Sequence, residues 1–146
     1  MRLLLRLLLI GLIVLLAIQV VPYGRTHNNP RTVQEVRWDS EQTRSLAQDA
    51  CLDCHSNLTE WPWYTSVAPV SWLTTRDVKE GRAKLNFSEW QRAQDVDLQE
   101  VLDAIRQQDM PPLQYRAIHS AARLDDTQRQ QLADGLTKTW KADPPG

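Results

Sequence analysis

One five-residue unit, Cys51-Leu52-Asp53-Cys54-His55, constrains this chain more than any other feature. It holds both cysteines of the 146 residues, which excludes a disulfide-dense scaffold. At helical spacing Cys51, Cys54 and His55 stand at i, i+3 and i+4, so their side chains project from one side. That grouping suits two thioether bonds to neighbouring vinyl groups, with the next imidazole reaching an iron; Cys-x-x-Cys-His is the pattern of c-type haem attachment. Three other uses compete. A thioredoxin-like redox pair belongs in a βαβ context, which is absent. A zinc site needs a fourth ligand, and only His27 and His119 remain as further histidines. A structural disulfide leaves His55 unexplained. The expectation is one haem c, covalent through Cys51 and Cys54, with His55 as an axial ligand.

A helical domain is what such a site needs, and the rest of the sequence reads as helix. Asp39-Ser40-Glu41-Gln42 offers a cap, followed by Leu46, Ala47, Ala50, Cys51 and Cys54 at helical spacing. Pro69-Val70-Ser71 opens a second helix through Trp72, Val78 and Leu85. Ser88-Glu89-Trp90-Gln91 and Asp97-Leu98-Gln99-Glu100 are capping-box patterns, the latter leading into Val101, Leu102 and Ile105. Pro111-Pro112 stops that helix, because residues before proline avoid the α region. Asp125-Asp126-Thr127-Gln128 starts the last helix, with Leu132, Leu136 and Trp140 on one face. Few stretches alternate as strands do, so the predicted class is all-α.

The N-terminus is read as an address. Residues 3–21 are almost wholly apolar: Arg2 and Arg6 mark a short positive start, and the run Leu7 to Val21 follows, interrupted near its end by Gln19. A cleaved leader and an uncleaved anchor both fit. Ala17 is not accompanied by a second small residue at the spacing cleavage wants, which favours a single-pass anchor. The two arginines would keep the N-terminus in the cytoplasm and place the rest in the periplasm, at the inner membrane. Either reading exports residues 26 onward, and bacterial haem c attachment takes place outside the cytoplasmic membrane. The expected division is residues 1–25 anchor or signal, 26–38 tether, 39–140 haem-binding domain and 141–146 a frayed tail.

Charge narrows the partners. Arg2, Arg6 and Arg25 flank the apolar run, so of 17 basic residues 14 lie beyond it, against 18 acidic ones. That balance excludes nucleic acid as the default partner, since phosphate binding needs a basic surface. Six tryptophans need large flat surfaces, and a haem completing the core would supply one.

Met110 is the only methionine other than the initiator. It stands at a predicted helix end before two prolines, which would present its thioether on a stiff loop as the second axial ligand. Most lone methionines are core fillers instead. His119, nine residues on, is the rival ligand, and His27 in the tether a weaker one.

Several stretches together resemble the bacterial haem-binding-domain family of c-type cytochromes. They are Trp38-Asp39-Ser40, Cys51 to Asn57, Trp61-Pro62-Trp63-Tyr64, Ala68-Pro69-Val70-Ser71-Trp72, Gly81-Arg82, Leu85-Asn86-Phe87-Ser88, Met110-Pro111-Pro112-Leu113-Gln114-Tyr115 and His119. The resemblance spans roughly residues 27–137. It implies a membrane-anchored monohaem protein with a cytochrome c-like fold. In such folds a loop after the motif supplies a carbonyl to the ligating histidine, here the Ala68-Pro69 segment. Trp61, Trp63, Tyr64 and Trp72 would wall the haem, and Arg82, Asn86 and Tyr115 would bind its propionates. The ordinary alternatives are core aromatics and solvated polar groups. The function expected is one-electron transfer with redox protein partners. The alternative is a haem-based sensor or peroxidase-like enzyme with a labile or vacant sixth position.

Overall fold

The computed structural model describes residues 1–146, and its regular structure is entirely helical. Seven α-helices run in the order α1 Arg2–Ile18, α2 Glu41–Ala50, α3 Leu52–His55, α4 Val70–Lys84, α5 Leu98–Arg106, α6 Leu113–Ile118 and α7 Asp126–Ala142, with a 3₁₀ turn at Trp63–Ser66. One isolated parallel bridge joins Gln34 to Glu89. The chain forms two compact units. The first is Met1–Asn28 with Glu60–Asp77, the second Asn29–Thr59 with Val78–Gly146.

Three of the expected caps start helices. The Ser40 side chain accepts from the Thr43 amide at α2, and Asp97 accepts from Glu100 at α5. Asp125 and Gln128 close a full capping box at α7. Each satisfies amides that have no intrahelical partner. The Ser88 pattern starts no helix. Its hydroxyl accepts the Asn57 amide at 3.0 Å and its own amide donates to Asn86 Oδ1 at 2.9 Å, so neither is free to cap.

In the second unit α7 packs on α2 and α5. A β-carbon on Gly135 would collide with Thr43 Oγ1, so glycine sets the α2–α7 approach. Leu46, Ala47, Leu52, Leu85, Phe87, Trp90, Ile105, Leu132 and Leu136 form the core. Trp90, fully buried, stacks on Phe87 at 5.6 Å and meets Trp140 edge-on at 4.9 Å, while its indole N–H donates to Asp143 O at 2.7 Å. Trp38 lies 5.1 Å from Phe87. These rings therefore use one another as their flat surfaces. The stretch expected as a tether is fixed along residues 87–90: Val33 and Gln34 donate to Ser88 O, Val36 to Phe87 O, and Trp90 to Gln34 O. The C-terminus is fixed too, with the Arg37 amide on Asp143 Oδ2 at 2.9 Å and the Gly146 amide on Trp90 O at 3.2 Å.

In the first unit the apolar run ends early. Helix α1 has 17 residues, about 25 Å at 1.5 Å per residue, against about 30 Å of bilayer hydrocarbon. No helix of the chain is long and apolar enough to cross a membrane, where a single-pass anchor was expected over residues 3–21. Helix α1 ends at Ile18, and Gln19 caps it. The Gln19 side-chain amide takes both backbone groups of Ala68, donating to the carbonyl at 2.9 Å and accepting the N–H at 3.0 Å, and Gln19 and Val20 form a turn. Gly24, at φ +81°, then lies against Ser71, where a β-carbon would collide with the carbonyl oxygen. Ser71 and Thr75 donate to the Tyr23 and Gly24 carbonyls at 3.3 Å.

Candidate functional site

The Cys51–His55 unit does not continue α2, as expected from its spacing. The chain breaks at Cys51 (φ −128°, ψ −43°), which accepts the end of α2 and caps the single turn α3. The Cys51 amide donates to Ala47 O at 2.7 Å, while the Cys51 carbonyl accepts from Cys54 at 3.1 Å and His55 at 2.9 Å. One turn still carries both sulfurs and the imidazole. The cysteines are free thiols rather than a disulfide. Burial, with Cys54 adding to it, pushes the Cys51 thiol up to about 12. A thiol so raised is protonated at neutral pH, the opposite of an activated redox cysteine. No group of three or more His, Cys, Asp or Glu side chains is gathered that could hold a metal ion.

His55 is held by the end of α4. Its Nδ1 is hydrogen-bonded to Leu85 O at 3.1 Å, and its carbonyl accepts the Phe87 amide at 2.8 Å. The carbonyl expected from Ala68-Pro69 is thus supplied by Leu85. Burial lowers the His55 pKa against the opposing pull of the Leu85 and Gly81 carbonyls, keeping the ring neutral. Gly81 lets α4 approach: a β-carbon there would lie 2.5 Å from Cys54 O. A neutral imidazole that gives Nδ1–H to a carbonyl is the form that ligates metals through Nε2. Two cysteine side chains stand beside it on the same turn, so the residues present fit a haem.

The other expected residues fall into place differently. Met110 follows α5, with its amide donating to Ala104 O at 3.1 Å, a cis bond to Pro111 and 44% exposure. His119 ends α6. Its ring stacks on Tyr115 at 3.9 Å, and its Nδ1 is bonded to Tyr115 O at 3.1 Å. Tyr115 in turn donates to Asp53 Oδ2 at 2.7 Å, bringing the α6 turn to the cysteine–histidine turn. Arg82, expected at a propionate, instead donates to Ser56 O at 2.7 Å, Thr59 Oγ1 at 2.8 Å and Asn29 Oδ1 at 2.9 Å. Asn86 is buried and donates to Asn57 Oδ1 at 2.9 Å. Arg116 Nε is buried without a hydrogen-bond partner. In the first unit His27 stacks on Trp61 at 4.5 Å, and Trp63 is 79% exposed.

Sequence reasoning missed Leu85, whose backbone acts rather than its side chain, and the polar residues after His55. Their signal was present as paired motifs, His55-Ser56-Asn57 and Leu85-Asn86-Phe87-Ser88.

Comparison with curated proteins returned no match, and neither did comparison with solved structures. The haem-binding domain family does match, over residues 13–138, a span that includes the cysteine–histidine turn, Met110 and His119. With most of its length inside that match, the chain belongs to the haem-binding domain family.

Proposed function

We propose that the chain is a monohaem c-type cytochrome with a cytochrome c-like domain that transfers single electrons on the periplasmic side of the inner membrane. Cys51 and Cys54 would hold the haem by thioether bonds, with His55 and Met110 as axial ligands. The single observation that carries this reading is the α3 turn, where two cysteine side chains stand beside an imidazole fixed through Nδ1 to Leu85 O. The bound haem supplies a one-electron couple at iron; the protein sets its potential, access and docking. Leu85 and Gly81 fix the His55 ring, and burial keeps it neutral. Met110, the soft ligand, would raise the potential relative to a second histidine. Arg116 Nε, an orphaned buried donor, would answer a propionate carboxylate. Helix α1, apolar beyond Arg6 and without a buried residue, suits the segment that brings the chain to the membrane and directs export. Redox proteins are the partners this reading implies.

One observation favours a second reading, a sensor or peroxidase-like site with a labile sixth position: the 44% exposure of Met110. His119 is the rival ligand: its ring is stacked on Tyr115, and its Nδ1 bond to Tyr115 O leaves Nε2 as the nitrogen that would ligate. The deciding experiment uses chain matured in cells with a haem c assembly system. Mass spectrometry should show one added haem, and oxidised and reduced absorption spectra a low-spin iron. A methionine–iron charge-transfer band should vanish in Met110→Ala. A colourless wild type overturns the proposal. A high-spin oxidised form that binds carbon monoxide rapidly once reduced replaces electron transfer with the second reading.

A further inference from the structure

Three buried side chains beside the α3 turn have no part in that chemistry. Asn57 and Ser88 are 1% exposed and Asn86 2%. They close a ring of hydrogen bonds. The Asn57 amide donates to Ser88 Oγ at 3.0 Å, the Ser88 amide to Asn86 Oδ1 at 2.9 Å, and Asn86 Nδ2 to Asn57 Oδ1 at 2.9 Å. Further bonds leave the ring: Asn57 Nδ2 reaches Glu89 Oε1 at 3.0 Å and Arg31 O at 3.2 Å, and the Asn86 amide reaches Gln94 Oε1 at 2.9 Å. A closed ring of buried hydrogen bonds rigidifies what it joins.

What it joins is specific. Asn57 is two residues after His55, and Asn86 directly follows Leu85, whose carbonyl holds His55 Nδ1. The ring thus ties the segment bearing the imidazole to the segment bearing its acceptor. We propose that Asn86 is a positioning residue for His55, fixing through Asn57 and Ser88 where the Leu85 carbonyl stands. This rests on the haem reading above. An imidazole that keeps a strong Nδ1–H···O bond is the more basic ligand, and a more basic ligand favours ferric over ferrous iron. Loosening the ring weakens that bond and raises the potential.

The test compares wild type, Asn86→Ala and Ser88→Ala, each matured with haem, by mass, by redox titration and by exchange of the His55 Nδ1 proton in the reduced protein. Asn86→Ala should retain one covalent haem, exchange that proton at least about tenfold faster, and favour the reduced state about tenfold more, equivalent to about 59 mV for one electron. Ser88→Ala removes only the acceptor of the Asn57 amide and should move both readouts the same way by less. If Asn86→Ala does not mature, Ser88→Ala decides alone. Haem-loaded variants with wild-type exchange and potential overturn the positioning role only. A wild type lacking covalent haem overturns the haem reading beneath it as well.

Discussion

Each compact unit holds three tryptophans and treats them differently. In the second unit Trp38, Trp90 and Trp140 gather around Phe87, and the indole N–H of Trp90 finds a carbonyl. In the first, Trp61 stacks on His27, Trp63 lies 79% exposed, and the Trp72 indole nitrogen is buried without a partner. The units differ likewise in what holds them. Every member of the apolar core cluster lies in the second unit, while Ala68 is the one buried apolar side chain of the first. The first unit relies on side-chain bonds to backbone, from Gln19, His27, Ser71 and Thr75. Burial yields more free energy than such bonds, which replace bonds to water. The second unit therefore sets global stability, and the first opens at lower cost.

The sharpest break of that contrast is Trp90→Ala. It removes a fully buried ring, two aromatic partners and the bond to Asp143 O. Urea unfolding should show a loss of about 3–5 kcal/mol. A loss under about 1 kcal/mol would mean the aromatic cluster does not organise the second unit.

Next is Gly135→Ala, whose added methyl collides with Thr43 Oγ1 and meets its Cγ2 and Cβ at 2.7 and 2.9 Å. Overpacking of this kind costs about 1–3 kcal/mol. Thr43→Ala deletes two of the three opposing atoms, so the double variant should be less destabilised than the sum of the singles, by about 1 kcal/mol. Strict additivity would show that α2 and α7 do not meet there.

A smaller effect separates the units by pH. Asp143 is held below the usual carboxylate range chiefly by the Arg37 amide, with the Arg37 guanidinium adding to it against burial. A carboxyl with a lowered folded pKa contributes stability above its unfolded value of about 4 and loses it as pH falls through the folded value. The urea midpoint of the second unit should drop on acidification from about pH 5, and Asp143→Asn should be less stable at neutral pH with a flatter acid limb. An unchanged limb would place the acid sensitivity elsewhere.

The parts of this contrast legible from sequence are those written in short-range chemistry. Ser40, Asp97 and Asp125 announced their helices because capping involves residues three apart. That Cys51, Cys54 and His55 share one turn was legible for the same reason. Ser88 carried the same local signature and misled, because Asn57, 31 residues away, takes its hydroxyl. Leu85 was invisible because its contribution is a backbone carbonyl, which every residue has. The tether and tail were read as loose for want of periodicity, yet Val33, Gln34 and Val36 pair with residues 87–90 through backbone groups alone. Gln19 was noticed as an interruption of an apolar run, but its partner Ala68 lies 49 residues away.

Gln19→Ala makes the smallest change and tests the first unit directly. It deletes the donor to Ala68 O and the acceptor of Ala68 N–H, two bonds each contributing about 1 kcal/mol net where they are shielded. If the first unit opens independently of the core, that loss falls on local opening and leaves the global urea midpoint within about 0.5 kcal/mol of wild type. Amide exchange at Ala68 should then accelerate by about tenfold or more, while exchange at Leu132 and Leu136, buried in α7, stays as it was. Equal acceleration at all three amides would show one cooperative body, and the distinction between a core-held and a bond-held unit would lose its energetic meaning.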